Sequence, residues 1–238
     1  MTKIVATVLR PGQDGQSWAD RLCAECVRIL DISGASLILM NDYDNLGVLA
    51  VTDGPAARME ELQFATGEGP CVDASRTGRP VLKPYIRRDA VEQWPGYGPG
   101  VLTTNIEAIF AFPLQVGAIR IGVLDLYRDT PGGLTEDQLV EALAFADAAL
   151  LMLLQLQDEA DGDPADSMFD AIGRNAAIHQ ATGMISVQLR MPLAEALLRL
   201  RAHAYSADVS MAAVAADVVS RRLRFDNTIA GTSIPEGR

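Results

Sequence analysis

The feature that most constrains this chain is an acidic interruption late in the sequence, "DEADGDPADS" at residues 158–167. It contains Gly162 and Pro164, and strong helical patterns lie on both sides of it. Because glycine and proline end helices and clustered carboxylates stay solvated, we predict a linker there. The chain is thereby divided into a first domain at 1–157, the linker at 158–167, a small second domain at 168–230 and a disordered tail at 231–238.

The two parts differ in charge. Residues 1–166 contain 12 Lys and Arg against 25 Asp and Glu, a net charge of −13, whereas residues 167–238 contain 8 Arg against 6 acids, a net charge of +2. Three of these arginines, Arg221, Arg222 and Arg224, are clustered. Binding to a polyanion is therefore expected only in the second part.

Composition indicates a soluble protein. Of the 238 residues 49% are apolar, which is enough for two buried cores. The most apolar run, 142–154, contains Asp147 and is shorter than the roughly 20 residues that span a bilayer. The chain opens without a signal-peptide pattern, and three cysteines cannot all pair within it. We expect a cytoplasmic protein with reduced thiols and no membrane contact.

Residue patterns in the first part predict an α+β domain. Apolar runs at 35–40, 46–52, 107–116 and 120–127 indicate strands, the last two forming a hairpin around "GA". We expect a mostly antiparallel sheet with helices on one side. Thr135 and Gln138 form a capping box at the start of a helix at 135–157. The apolar stripe of this helix is too wide for one packing partner, which predicts a homodimer.

Three helices are predicted in the second part: one over 167–190, one starting at Pro192 and one capped by Ser210. The residues predicted to face inward are Leu193, Leu197, Leu200 and Ala204 on the second helix, and Met211, Val214, Ala215 and Val218 on the third.

A glycine in the first of these helices needs an explanation. Gly183 lies inside "AIHQATGMISVQLRM" (177–191), where it costs about 0.8–1 kcal/mol against alanine. Either another helix crosses closely at this point, or the glycine leaves room for a ligand.

The sequence contains no pattern that indicates catalysis. Neither His179 nor His203 lies in the first part or near a cluster of metal ligands, and no nucleotide-binding glycine motif is present. We therefore predict no enzyme activity, no metal and no cofactor. Cys23 and Cys26 fit the apolar face of a helix. Cys71 follows "GEGP" at a helix start, where it either packs or, as a thiolate, benefits from the helix amides.

Two sets of motifs resemble known families. "QATGMISVQL", "EALLRLRAHA" and "VAADVVSRRLRF" together resemble an ANTAR domain, the three-helix RNA-binding module of transcription antitermination regulators. "GEGPCVDASRTGRPVL", "EQWPGY", "FAFPLQVGAIRIGVLDLYR" and "LTEDQL" resemble the GAF domain that accompanies it in actinobacterial regulators. The resemblance covers residues 15–157 and 168–226 and implies an α+β GAF sensor followed by a small all-α bundle.

This resemblance implies a function and a set of site residues. The second domain would bind paired RNA hairpins in nascent leader transcripts, so that a terminator cannot form. The residues expected to contact RNA are Ala181, Thr182, Gly183, Arg190, Arg201, Arg221 and Arg222. The family often carries lysine in place of Thr182. A small-molecule or protein signal is expected at the GAF domain, with an unidentified ligand at Gly69, Cys71, Asp73, Phe112 and Asp125.

Two other functions compete with this one. Three short helices also occur in DNA-binding transcription factors, although "SMAAVAADVV" offers few polar side chains for reading bases. A GAF domain that only mediates protein contacts would bind neither nucleic acid.

Overall fold

The computed structural model describes residues 17–40, 45–158, 165–207 and 209–226. The chain divides into two compact units, Met1–Ala171 and Ile172–Arg238. Most of the predicted linker and the whole predicted tail lie outside the described residues. Among the described residues, no helix has the length and apolar character needed to cross a membrane.

The N-terminal unit is an α+β domain. Its elements are α1 (Trp18–Leu30), β1 (Gly34–Met40), β2 (Asn45–Val51), α2 (Gly54–Thr66), α3 (Pro70–Thr77), β3 (Val81–Lys83), α4 (Ile86–Gln93), α5 (Gly98–Val101), β4 (Ala108–Val116), β5 (Ile119–Arg128) and α6 (Glu136–Asp158).

Its five strands form one antiparallel sheet in the order β2-β1-β5-β4-β3. The predicted hairpin is confirmed, since β4 and β5 pair up to Val116 opposite Ile119. Strand β5 also pairs with β1, which sets Asp125 opposite Ser36. The centre of the sheet thus joins strands that are far apart in the chain.

Helices cover both faces of this sheet, so the prediction of helices on one side was wrong. Side chains such as Leu37 and Phe110 pack in one core with α1 and α6. Side chains on the opposite face, such as Ile38 and Ile109, pack with α2, α3 and α4. All seven residues of β1 are buried, and a strand buried along its whole length needs cover on both faces.

Helix α6 begins as predicted and leaves part of its apolar surface open. The backbone N–H of Thr135 donates to the Gln138 side chain (2.9 Å), and the Gln138 N–H donates to Oγ1 of Thr135 (3.2 Å). Val140 is 63% exposed, and Leu143 and Leu151 are each 42% exposed. Within the described residues, only one side of this wide apolar stripe is packed against the rest of the N-terminal unit.

The three predicted helices are present as α7 (Ala165–Leu189), α8 (Leu193–Ala207) and α9 (Met211–Val219), the last capped by Ser210. The C-terminal unit contains α8, α9 and α7 from Ile172 onward. Its buried apolar residues are Ile178, Ala181, Ile185, Leu189, Ala196, Leu197, Leu200, Ala204, Met211, Val214, Ala215, Val218 and Phe225. The prediction that Leu193 faces inward was wrong. Leu193 is 61% exposed, because it is the first residue of α8 and lies at the end of the helix rather than in its packed middle.

Candidate functional site

A cluster of polar side chains is buried between the sheet and the helices α2 and α3. Glu60 of α2 accepts hydrogen bonds from the hydroxyls of Ser36 and Tyr127 and from Nε2 of Gln63, the last at 3.3 Å. The same amide nitrogen donates to Oδ2 of Asp125 at 3.1 Å. All five residues are no more than 1% exposed. The sheet supplies Ser36, Asp125 and Tyr127, and α2 supplies the other two.

Gln63 connects this cluster to the start of α3. Its Oε1 accepts the backbone N–H of Cys71 at 2.7 Å, which directs its amide nitrogen toward the two carboxyls. Gly69 makes this possible, because a Cβ there would lie 2.6 Å from Oε1 of Gln63. Gly69 also has a φ of 129°, in a region that only glycine adopts readily. The turn "GEGP" therefore positions the glutamine.

Burial dominates the electrostatics of the cluster. It raises the pKa of the Asp125 carboxyl well above its usual range, and the neighbouring Glu60 carboxyl raises it further. Burial also raises the pKa of Glu60, but the hydrogen bonds that Glu60 accepts act in the opposite direction. Of the two carboxyls, Asp125 therefore has the pKa that is raised more. The pKa of the Cys71 thiol is raised by burial and by both acids, so Cys71 is a neutral thiol here.

Glu68 and Asp73 accept hydrogen bonds from the loop that follows α4. Oε2 of Glu68 accepts the backbone N–H of Gly96 at 2.7 Å. Oδ2 of Asp73 accepts the indole N–H of Trp94 at 3.0 Å. This loop carries Tyr97, whose side chain is fully buried and whose hydroxyl has no hydrogen-bond partner among the described residues. Burial raises the pKa of that hydroxyl, and Glu60, Asp125 and Cys71 raise it further.

The structure brings together three of the five residues predicted for the GAF ligand. Gly69, Cys71 and Asp125 meet at the buried cluster, and Asp73 holds Trp94 beside it. Phe112 lies on the other face of the sheet, in the core with α1 and α6. Neighbours in a strand point to opposite faces, and Phe112 pairs with Leu124 in β5, the residue before Asp125.

Sequence analysis missed Ser36, Glu60, Gln63, Tyr97 and Tyr127. The signal that could have found Glu60 and Gln63 is the pattern of α2, where these polar residues share a buried face with Met59. The predicted apolar role of Cys23 and Cys26 agrees with their place in the core with α1 and α6, where both are fully buried.

A separate surface cavity of about 270 Å³ lies along β3 and the start of α4. Leu82, Lys83, Tyr85 and Arg88 are among the residues that line it. None of the residues predicted for a ligand site belongs to this cavity.

In the C-terminal unit, the predicted RNA-contacting residues divide into buried and exposed ones. Ala181 is fully buried, and Thr182 is 6% exposed with its hydroxyl bonded to the Ile178 carbonyl at 2.7 Å. Gly183 is half-buried, and a Cβ there would meet no described atom within 4 Å. Of these three, Gly183 is the most exposed, and no described helix crosses closely over it.

The predicted arginines lie near the helix ends and on α8. Arg190 and Arg221 are exposed and follow the ends of α7 and α9 with left-handed φ angles of 54° and 61°. Arg222 is exposed and pairs with Asp217 at 2.7 Å. Arg201 is half-buried on α8. Oε1 of Gln188 accepts the backbone N–H of Phe225 at 2.9 Å, which joins the segments that carry Arg190 and Arg221.

Several solved structures with a similar fold are GAF domains. The GAF domain of a phosphoenolpyruvate-protein phosphotransferase from Coxiella burnetii has a TM-score of 0.50 and 12% identity, covering 68% of this chain and 96% of its own. The corresponding domain from Acinetobacter has a TM-score of 0.50 and 13% identity, with coverages of 68% and 94%. A free methionine-R-sulfoxide reductase from Neisseria meningitidis has a TM-score of 0.49, 15% identity and coverages of 67% and 88%. No curated protein matches the chain significantly.

The N-terminal unit thus has the fold of a class of sensory α+β domains. The GAF domain model matches residues 13–153, more than half of the chain, and the chain belongs to the GAF domain family. Membership indicates a role in signal sensing or regulation. The match ends before the C-terminal helices.

Proposed function

We propose that the protein is a cytoplasmic regulator that binds hairpin RNA in nascent transcripts and prevents transcription termination. In this proposal the GAF domain receives the signal, and the C-terminal unit is an ANTAR domain. The membership of residues 13–153 in the GAF family supports the first half. The second half is supported by the motifs of residues 168–226 and by the positive net charge of that part of the chain.

The observation that carries the RNA proposal is the backbone conformation of Arg190 and Arg221. Each ends a helix in the left-handed region, where glycine costs least and other residues cost roughly 1–2 kcal/mol more. Both side chains are exposed, so packing does not account for the choice of arginine. A long exposed cation at such a position suits a phosphate backbone.

The surface at Gly183 agrees with the same proposal. Open space above a helical glycine lets a flat or extended ligand approach the backbone closely. RNA bases in hairpin loops are unstacked and accessible to such a surface. Contact at Gly183 would place RNA on the exposed side of α7, while Ala181 supports the same turn from inside the bundle.

Duplex DNA is a weaker alternative for this unit. A helix that reads the major groove needs polar or basic side chains near its N-terminal end. Helix α9 begins with Met211, which is buried, followed by Ala212 and Ala213, which are exposed and have no polar atoms on their side chains. We therefore prefer RNA.

We also propose that the protein is a homodimer through α6. Val140, Leu143 and Leu151 form an exposed apolar stripe on this helix, and Ile29 of α1 is 39% exposed. A second copy of the same stripe would cover these side chains. Two C-terminal units in one dimer would then bind paired hairpins with an increased effective concentration.

Competition binding at fixed salt tests the proposal. The full-length protein is titrated with a labelled two-hairpin RNA and challenged with unlabelled RNA or with duplex DNA of matched length. We expect RNA to compete at lower concentration than DNA, and we expect the affinity to fall as salt rises. Stronger competition by DNA would favour a transcription factor. Binding of neither would favour a GAF domain that mediates protein contacts only.

A further inference from the structure

The buried cluster holds two acids without a compensating cation. The groups that act on Glu60 and Asp125 are Ser36, Tyr127, Gln63, Cys71 and each other, and none of them is positively charged. Both acids are no more than 1% exposed, so water screens them little. Buried charges in proteins are normally paired or bound to a metal. Among the described groups that interact with Glu60 and Asp125, none therefore supplies a compensating positive charge.

The spacing of three side chains fits one metal ion. The ligand atoms of Glu60, Cys71 and Asp125 all lie within 4.8 Å of one another. Zinc binds carboxylate oxygen at about 2.0–2.2 Å and thiolate sulfur at about 2.3 Å in a tetrahedral arrangement, so its ligand atoms are roughly 3.3–3.8 Å apart. The three side chains would therefore have to close in on the ion by up to about 1 Å to coordinate it.

Two unpartnered polar atoms give an independent indication of a missing group. Oδ1 of Asp125 and the hydroxyl of Tyr97 are buried and have no hydrogen-bond partner among the described residues. Asp125 and Tyr97 are fully buried. Buried polar atoms are rarely left without a partner. A cation at Asp125 would satisfy the first of these atoms.

We propose that Glu60, Asp125 and Cys71 bind one divalent transition-metal cation of the zinc type, held between the sheet and the start of α3. Binding would release to solvent the thiol proton of Cys71 and any proton held by the two carboxyls. The resulting two carboxylates and one thiolate are a ligand set for a cation of borderline softness, whereas magnesium and calcium prefer oxygen alone. The inference rests on the proposed role of the GAF domain in receiving the signal, and it names a ligand for that domain. It also departs from sequence analysis, which predicts no metal because neither histidine lies near a cluster of metal ligands.

Gln63 would act as a positioning residue for this site. It donates to both carboxyls and accepts from the backbone N–H of Cys71, so one side chain orients all three ligands. Ser36 and Tyr127 hold Glu60 from the sheet. Such outer partners typically contribute about 10- to 100-fold to metal affinity.

Cobalt binding tests the proposal, because a thiolate ligand gives Co²⁺ a near-ultraviolet charge-transfer band. The full-length protein is freed of metal with a chelator, dialysed and equilibrated with Co²⁺, with long incubation because the ligands are buried. We expect one Co²⁺ per chain, a thiolate band, and displacement by Zn²⁺. Cys71→Ser should remove the band. Cys23→Ser is the matched control, since Cys23 is equally buried in the other core, and it should keep the band.

Three results would overturn the proposal. They are the absence of stoichiometric Co²⁺ and Zn²⁺ binding by folded wild-type protein, a band that survives in Cys71→Ser, and a band that is lost in Cys23→Ser. If Cys71→Ser does not fold, Gln63→Leu replaces it, with an expected loss of about 10- to 100-fold in Co²⁺ affinity and unchanged affinity as the contradicting result. RNA binding is measured separately, so a failure of the metal site leaves the RNA test intact.

Discussion

Replacing Gly183 by alanine separates two explanations for the glycine. A Cβ at this position meets no described atom within 4 Å, so the substitution adds helix propensity without overpacking. The expected gain is about 0.8–1 kcal/mol in the free energy of unfolding. For a unit of this size, 1 kcal/mol corresponds to a rise of about 4–8 °C in the melting temperature. Binding of hairpin RNA should weaken, because the methyl group occupies the open surface.

Calorimetry of the full-length protein, with the transition of the C-terminal unit assigned separately, measures this effect. Ala202→Gly is the matched control. Ala202 is exposed within α8, and the reverse substitution should lower the same transition by a similar amount. A clear decrease in melting temperature for Gly183→Ala would show that the glycine is packed. If that variant also bound RNA normally when cold, the RNA-facing assignment of this surface would be refuted.

Three further substitutions give distinct outcomes. Arg221→Gly should leave the C-terminal unit as stable as the wild type, or more stable by up to about 1–2 kcal/mol, because glycine adopts the left-handed conformation at lower cost. RNA binding should weaken, and its dependence on salt concentration should become shallower. Unchanged RNA binding would show that Arg221 is not part of the interface. Leu151→Glu, at an exposed position of α6, should give monomers in light scattering, and a persistent dimer would place the interface elsewhere. Gly69→Ala should destabilise the GAF domain by about 1–3 kcal/mol in chemical denaturation, whereas Gly54→Ala, which meets no described atom, should be nearly neutral.

The strands and most helix ends could be predicted because their signals are local. Ser17 caps α1, Ser210 caps α9, and the pairing of β4 with β5 follows from a short turn at Gly117. The number of sheet faces that helices cover could not be predicted from such local signals. The residue pattern predicts helices on one side of the sheet, but burial of β1 and β4 along both faces depends on how distant helices return to the sheet.

The buried cluster shows where sequence patterns stop being informative. Sequence analysis names Asp125 only among the ligand residues expected from the resemblance to a GAF domain, and leaves Cys71 after "GEGP" as either a packed or an activated thiol. Glu60 and Gln63 share a helix face with Met59, but this pattern does not say which distant residues they contact. Only the fold brings them beneath the sheet, where Gln63 reaches Asp125 from 62 positions away. Coordination by residues so distant cannot be read from spacing.

Titration of the full-length protein with hairpin RNA, in wild-type and Asp125→Asn forms, tests the central claim most directly. Asp125 is buried in the N-terminal unit, so this substitution alters the proposed signal site without changing any residue of the C-terminal unit. A regulator whose GAF domain controls RNA binding should bind the hairpin in at least one form. Its affinities in the two forms should differ by about 5-fold or more. Equal affinities in two folded proteins would contradict the coupling, and absence of RNA binding in both would contradict the proposed function.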